Sequence, residues 1–235
     1  MGGEMMRNCP NCGVKVFDDE AKFCIECGSA LTAKSITSTQ SNTPDENLNA
    51  NTKKSISVKR GQKADLTKNN PNLKNIAVKL SWQCGENFDL DAAAFLLANN
   101  GKVKDETDFV YYNNIKHSSD SVEHKSIDNN SEQLKINISK IPTEVTRMAF
   151  TLTINDAESL KQNFSQIKNI TLQIISEDSN EELLKYILDD DFSIETAIVV
   201  AEIYRYKEDW KFNAIGAGFQ GGLAALCNNF GIDVN

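Results

Sequence analysis

Four cysteines near the N-terminus are the residues of this chain with the clearest chemistry. Cys9 and Cys12 form one C-x2-C pair, Cys24 and Cys27 form a second, and a glycine follows each pair. Four thiolates at this spacing can close a tetrahedron around one zinc ion. Two disulfides or four unrelated thiols are the alternative interpretation. Because four protein sulfurs leave no position open for substrate, we predict a structural zinc ribbon over residues 1–31.

A second set of side chains offers oxygen atoms to a hard cation. Asp89 and Asp91 stand two residues apart, and in an extended chain such a pair points to one side. Asp128 and its neighbours form another polar cluster in a loop between predicted strands. Calcium takes oxygen ligands of this kind, roughly six to eight at a time. The alternative is that Asp-x-Asp here is only a solvated turn, a common place for aspartate.

Histidines and the two remaining cysteines give no comparable signal. His117 and His124 lie near the acidic loops, but no neighbouring cysteine completes a ligand set, so we favour ordinary strand or surface histidines. Cys84 and Cys227 are far apart in sequence, and each is interpreted as a small buried hydrophobe. Neither carries a local signature of a nucleophile. We therefore expect no catalytic residue and no enzyme.

Composition narrows the class of protein. The chain has 235 residues and a formal net charge of −8, which argues against a sequence-independent nucleic-acid binder. Its 40% hydrophobic and 25% charged residues are typical of a globular protein. We expect neither a signal peptide nor a transmembrane segment, since no apolar run is long enough. Free thiols and a four-cysteine zinc site favour a reducing compartment, so the expected location is cytoplasmic.

The remainder of the chain divides into a linker and a larger domain. Residues 32–55 are polar and lack aromatic side chains, so they are predicted to be a flexible linker. Residues 56–235 contain several runs in which apolar and polar side chains alternate, as in Ile76–Trp82 and Met148–Ile154. This period marks strands with one buried face and predicts an all-β fold, a β-sandwich. Apolar residues at helical spacing predict one short C-terminal helix over Gln220–Asn229, followed by Gly231 as its cap.

Several motifs of this larger domain together resemble a known family. The stretch from about Ile56 to Val234 resembles the TerD domain of tellurium-resistance and chemical-stress proteins. The matching residues are Lys59-Arg60-Gly61-Gln62, Phe88-Asp89-Leu90-Asp91 with the apolar run to Leu97, Asp108 to Asn114, Ser121 to His124, Asp128-Asn129, and Trp210 to Gly216. The resemblance covers three quarters of the chain, and the N-terminal part separately resembles a zinc ribbon.

The resemblance implies a fold, a metal and a role. TerD-like domains are β-sandwiches that bind calcium through acidic loops at one end, act in resistance to chemical stress, and are thought to join protein assemblies at the inner face of the membrane. No catalytic activity is firmly attached to them. Carried over by matching position, the implied calcium ligands are Asp89, Asp91, Asn113, Asp128, Asn129 and Glu132.

One loop departs from the family pattern. After Asp128-Asn129 the family usually continues with glycines and further aspartates, but this chain passes through Asn130 and Ser131 directly into the next strand. Calcium affinity depends on the number and charge of the ligands, so the shorter loop predicts weaker or lost binding at one site. The alternative function is therefore an interaction adaptor that binds only structural zinc, with a degenerate calcium site.

Overall fold

A computed structural model gives the structure of the chain, and it describes residues 7–8, 15–16, 31, 55–189 and 191–234. The chain divides into two units, Met1–Lys54 and Ser55–Asn235. The four predicted zinc ligands and nearly all of the predicted linker lie outside the described residues, so both stay predictions. In the first unit, two short strands pair antiparallel, β1 (Arg7–Asn8) with β2 (Lys15–Val16).

The second unit is built almost wholly from strands, as the alternating pattern predicts. In chain order they are β3 (Ile56–Val58), β4 (Lys63–Asp65), β5 (Asn75–Gln83), β6 (Leu90–Leu97), β7 (Phe109–Val110), β8 (Val122–Asp128), β9 (Ser131–Asn137), β10 (Arg147–Ile154), β11 (Lys168–Ser176), β12 (Glu182–Leu188), β13 (Ala197–Tyr206) and β14 (Asp209–Phe219). The helix α1 (Gly222–Phe230) follows β14. Short 3-10 turns occupy Glu106–Asp108, Ile138–Lys140 and Phe164–Gln166.

These strands form two six-stranded sheets. Sheet 1 has the order β4-β14-β13-β10-β6-β7, and sheet 2 has the order β3-β12-β11-β5-β9-β8. In these two sheets β3 pairs with β12 in parallel and the other neighbours pair antiparallel. The predicted β-sandwich is confirmed.

The main core lies between the two sheets. Strand β5 shows why: Ile76, Val78 and Leu80 are fully buried, while the alternate Lys79 and Ser81 lie on the outer face. Burying such side chains stabilises the fold by about 1.5–3 kcal/mol each. Tyr186 of β12 joins this core and is 1% exposed.

A second, smaller core lies on the outer face of sheet 1. Phe95 of β6 stacks on Phe109 of β7 and contacts Phe230 of α1, with ring centroids 4.3 and 4.6 Å away. The predicted C-terminal helix is confirmed, although it begins and ends slightly later than the sequence indicates, and it covers part of that outer face. Gly231 caps it at φ 87°, a left-handed backbone that glycine adopts without strain. No helix among the described residues has the length and apolar character needed to cross a membrane.

Candidate functional site

The acidic residues lie where several loops meet at one end of the sandwich. The segment before β6 is held by the loop after β10, since Asn155 N donates to the backbone oxygen of Asp89 at 2.8 Å. The turn between β8 and β9 lies against the end of β5, because Trp82 N donates to Asn130 O at 3.0 Å and the Cys84 thiol lies 3.5 Å from Asn130 Oδ1. The register of the strands in both sheets therefore brings polar loops that are distant in sequence to the same end of the sandwich.

Asp89 and Asp91 form the acidic centre of this end. Asp91 is the second residue of β6 and is half-buried, whereas Asp89 is exposed just before that strand. Burial, together with the carboxylates of Asp89 and Glu132, raises the pKa of Asp91 to about 6, although His124 opposes the shift. Within the described residues the Asp91 carboxylate accepts no hydrogen bond. A cation beside it would relieve this concentration of negative charge.

Glu132 is close to Asp91 but is fully engaged by protein donors. One carboxylate oxygen accepts from the backbone N–H of Ala92 at 2.6 Å and lies 2.9 Å from Nε2 of His124, and the other accepts from the Ser126 hydroxyl at 3.0 Å. Burial alone would raise the pKa of Glu132, but these hydrogen bonds outweigh burial and lower it. Acting as a calcium ligand would cost Glu132 some of these bonds.

The other predicted calcium ligands are exposed. Asp128 ends β8, and its carboxylate accepts from the backbone N–H of Asn130 at 2.9 Å, which lowers the pKa of Asp128. Asn129 lies in the same turn, and Asn113 follows Tyr112 in the loop after β7. No hydrogen bond joins any of these side chains to Asp89 or Asp91 within the described part of the chain.

Tyr112 and Asn155 are neighbours of the acidic centre that sequence reasoning missed. Asn155 Nδ2 donates to the Asp89 carboxylate at 3.2 Å. Burial raises the pKa of the Tyr112 hydroxyl, and the negative charges of Asp91 and Asp89 raise it further. Tyr112 lies inside the matching stretch Asp108 to Asn114 but is not among the predicted ligands, and Asn155 lies in none of the matching stretches. Only the folded arrangement of the loops shows that both belong to this end.

The two histidines are buried rather than exposed, and each is paired with a carboxylate. His124 Nε2 meets Glu132, as described above, and His117 Nε2 lies 3.0 Å from the Asp108 carboxylate. Nδ1 of His117 is 2.7 Å from the Ser119 hydroxyl. These contacts satisfy buried polar groups, which explains why the side chains tolerate burial. The alternation of apolar and polar residues in the sequence does not predict these histidine–carboxylate pairs.

A cleft of about 860 Å³ opens beside the acidic centre. Asp91 and Thr153 lie on adjacent paired strands, β6 and β10, and both line it. Its walls are the loop 155–163 and the start of α1 at Gly221 and Gly222. Within residues 55–189 and 191–234, no group of three or more His, Cys, Asp or Glu side chains is arranged to hold a metal ion. Calcium and zinc binding both stay predictions.

Comparison with known proteins finds a matching family and several relatives of this chain. Residues 54–230 match the TerD domain family. The chain is 44% identical over 191 residues to general stress protein 16U of Bacillus subtilis, covering 76% of this chain and 98% of that protein. It is 40% identical over 191 residues to the tellurium resistance protein TerD of Serratia marcescens, covering 77% and 100%.

A third relative and one solved structure agree with these matches. The chemical-damaging agent resistance protein B of Clostridium acetobutylicum is 52% identical over 138 residues, covering 56% of this chain and 99% of that protein. The crystal structure of a homologue of telluride resistance protein from Streptomyces coelicolor A3(2) superposes with a TM-score of 0.51 at 18% identity, covering 65% of this chain and 94% of that one. At that identity the structural likeness concerns the fold.

Proposed function

Because the chain belongs to the TerD domain family, we propose that it acts in the cellular response to chemical stress as a non-enzymatic binding protein of the cytoplasm. The relatives support the stress role, since they are named for general stress, tellurium resistance and resistance to chemical-damaging agents.

Calcium binding at the acidic end is the activity we propose for the sandwich. The observation that carries it is Asp91, a half-buried carboxylate crowded by Asp89 and Glu132, with no hydrogen-bond donor among the described residues. Carboxylate and amide oxygens suit calcium, so Asp89, Asp91 and Asn113, which follows Tyr112 in the loop after β7, fit it in chemistry. A bound calcium would supply positive charge that neutralises the cluster.

The remaining predicted ligands would have to contribute differently. Asp128 and Asn129 are exposed in a turn at the same end, and we propose that they contribute oxygens from that turn. Glu132 serves better as a buried anion that positions β6, because Ala92, His124 and Ser126 already occupy its oxygens. The geometry therefore favours Asp89 and Asp91 as calcium ligands and Glu132 as a structural residue.

The N-terminal unit is proposed to contribute zinc and a second contact. Cys9, Cys12, Cys24 and Cys27 would hold one structural zinc ion in the ribbon. We propose that ribbon and sandwich each contact partner proteins, such as a membrane-associated assembly for stress resistance, and that nucleic acid is not the partner.

Two observations favour the adaptor alternative. No hydrogen bond joins Asp128 or Asn129 to Asp89 or Asp91 within the described residues, and the loop that would carry further carboxylates is short. In that alternative the protein binds zinc and partners without calcium. Calcium titration separates the two functions.

Survival of a strain that lacks the protein tests the stress role itself. We expect greater sensitivity to tellurite or to another chemical-damaging agent, restored by the intact chain but not by the Asp91→Asn chain. An Asp120→Asn chain is the control, since Asp120 is exposed and pairs with Lys116 at 2.7 Å. Unchanged survival of the deletion strain under every such agent would reject the stress role.

A further inference from the structure

Another cleft, of about 690 Å³, opens at the end of the sandwich opposite the acidic centre. In sheet 1, Asp91 pairs with Thr153 near the end of β10. Arg205, which lines this other cleft, instead donates its backbone N–H to the backbone oxygen of Thr146 at 2.8 Å, just before β10 begins. The cleft is therefore separate from the proposed calcium ligands.

Arg205 brings to this cleft a guanidinium group that has no acceptor in the protein. Its Cζ lies 4.5 Å from the centroid of the Trp210 ring, and this buried aromatic side chain holds the group in place. No described residue accepts a hydrogen bond from a side-chain nitrogen of Arg205 or forms an ion pair with it. Nε is closed off from solvent, whereas the two terminal nitrogens are not, so they are the donors that a ligand can reach. A partly buried cation without a partner favours a bound anion.

Apolar side chains form another part of the wall of this cleft. They belong to the connection between β4 and β5 and to that between β9 and β10, and they are Pro71, Leu73, Ile138 and Ile141. Leu73 and Ile138 remain partly exposed, so they can still bury apolar surface against a ligand. A cleft of this volume that sets apolar side chains beside a few charged groups suits a small molecule.

The other charged side chains of the cleft limit the charge of a ligand. Lys68 is exposed and forms no ion pair among the described residues, so with Arg205 it supplies two unpaired positive charges. Glu208 and Asp209 supply two negative charges, and one oxygen of Asp209 accepts from the Thr67 hydroxyl at 3.1 Å. Because these four charges cancel, a ligand with one negative charge is favoured over a multiply charged anion such as phosphate.

We propose that this cleft binds a monocarboxylate with an apolar body, either a small carboxylic acid or the C-terminus of a peptide. The terminal nitrogens of Arg205 donate two parallel hydrogen bonds to the carboxylate, because a planar guanidinium matches the spacing of its two oxygens. The apolar body packs against Leu73 and Ile138. The inference goes beyond the proposed stress role and requires neither calcium nor zinc.

Nuclear magnetic resonance titrations of the full-length chain in calcium-free buffer test the proposal. The probes are hexanoate and N-acetylglycylleucine, each compared with its uncharged amide, and inorganic phosphate. We expect at least one of the two acids to shift the indole resonance of Trp210, and its amide to bind at least about tenfold more weakly. Binding of hexanoate identifies a small acid as the ligand class, and binding of the acetylated dipeptide alone identifies a peptide C-terminus.

Substitutions of Arg205 and of its near neighbour Lys207 locate the carboxylate. Arg205→Gln removes the guanidinium group and should lower the affinity for the acid at least about tenfold. Lys207→Gln is the matched control, since it removes one positive charge from a side chain that does not line the cleft, and affinity should stay within about twofold. Arg205→Lys keeps the charge but loses the planar fork, so it should bind the acid more weakly than the unmodified chain does. This variant decides the question if Arg205→Gln does not fold.

Any one of three results would overturn the proposal. In the first, neither acid shifts the Trp210 indole resonance. In the second, an amide or inorganic phosphate binds as tightly as the acid. In the third, Arg205→Gln, or Arg205→Lys in its place, binds the acid as tightly as the Lys207→Gln chain does. Because no calcium is present and Asp91 lies at the other end of the sandwich, these results are independent of the calcium proposal.

Discussion

The carboxylate of Glu132 on β9 accepts a hydrogen bond from the backbone N–H of Ala92 on β6 at 2.6 Å. The two residues belong to different sheets, so a single buried side chain joins sheet 2 to sheet 1 at the end where the acidic loops meet. His124 shares the same carboxylate. The bond fixes the start of β6, and Asp91 is the residue that immediately precedes Ala92.

Removing the Glu132 carboxylate, which joins the two sheets, should destabilise the whole sandwich. Glu132→Ala leaves His124, the Ala92 N–H and the Ser126 hydroxyl without their shared acceptor inside the protein. We expect the free energy of unfolding to fall by about 3 kcal/mol, as measured by denaturant unfolding. The exposed pair Lys104–Glu144 gives the control, and Glu144→Ala should change stability far less than Glu132→Ala does. Equal effects of the two substitutions would refute the bridging role.

The same carboxylate gives a pH dependence. The folded state lowers the pKa of Glu132 from its ordinary 4.5, so its contribution to stability is present above that value and is lost as the pH falls through the folded-state pKa. Thermal unfolding at decreasing pH should therefore show the unmodified chain approaching the Glu132→Ala variant in acid. A difference between the two that stays constant down to low pH would contradict this linkage.

The contribution of Asp91 to stability should have the opposite pH dependence when calcium is absent. Folding raises its pKa from 3.8 to about 6, so the favourable contribution is complete below 3.8 and is lost as the pH rises through about 6. With a chelator present near neutral pH, Asp91→Asn should unfold at a higher temperature than the unmodified chain, and the gain should vanish toward pH 3.8.

Asp120→Asn is the matched control for that measurement. Asp120 is exposed, and the hydrogen bond from Lys116 lowers rather than raises its pKa, so its replacement should not stabilise the protein. A lower unfolding temperature for Asp91→Asn in chelator near neutral pH would contradict the conclusion that neighbouring negative charges destabilise the ionised Asp91 carboxylate.

Gly218 on β14 should resist any side chain. A Cβ atom there would lie 2.4 Å from Cγ and 3.1 Å from Cβ of Glu195. Because these two atoms are close to the Glu195 backbone, moving the end of the Glu195 side chain would not relieve the overlap. Gly218→Ala should therefore cost about 1–3 kcal/mol of unfolding free energy. In a double-mutant cycle, adding Gly218→Ala to Glu195→Ala should cost much less than adding it to the unmodified chain. Strict additivity would contradict the predicted clash.

Much of the fold follows from the sequence because burial has a simple period in strands. The alternation in β5 and β10 specifies one inward face, and the apolar spacing before Gly231 specifies the helix. Glu181–Leu188 is ambiguous in sequence because its residues also favour helix. It becomes strand β12 because Tyr186 and its inward neighbours complete the core between the sheets.

The site is harder to predict because its contacts cross between strands. Spacing alone pairs Asp89 with Asp91, but the partners of Glu132 come from β6 and β8. Only the sheet register brings them together, and one sequence contains no direct sign of register across a sandwich. The family resemblance supplied the ligand set, and the geometry shows which of those oxygens already have protein donors.

The ribbon can be tested apart from the sandwich. Elemental analysis of the full-length chain should find one zinc per chain, and Cys24→Ser, which removes one of four thiolates, should lose most of it. Cys227→Ser is the control, since Cys227 is a buried free thiol of the sandwich and should leave the zinc content unchanged. Zinc content that is independent of Cys24 would refute the four-cysteine site.

Isothermal titration of the zinc-loaded, full-length chain with calcium chloride tests the central claim most directly. We predict saturable calcium binding by the unmodified chain and by Asp120→Asn, and its loss in Asp91→Asn. No heat and no calcium-dependent rise in unfolding temperature with the unmodified chain, or binding by Asp91→Asn as tight as that of the unmodified chain, would contradict calcium binding at the acidic end of the sandwich.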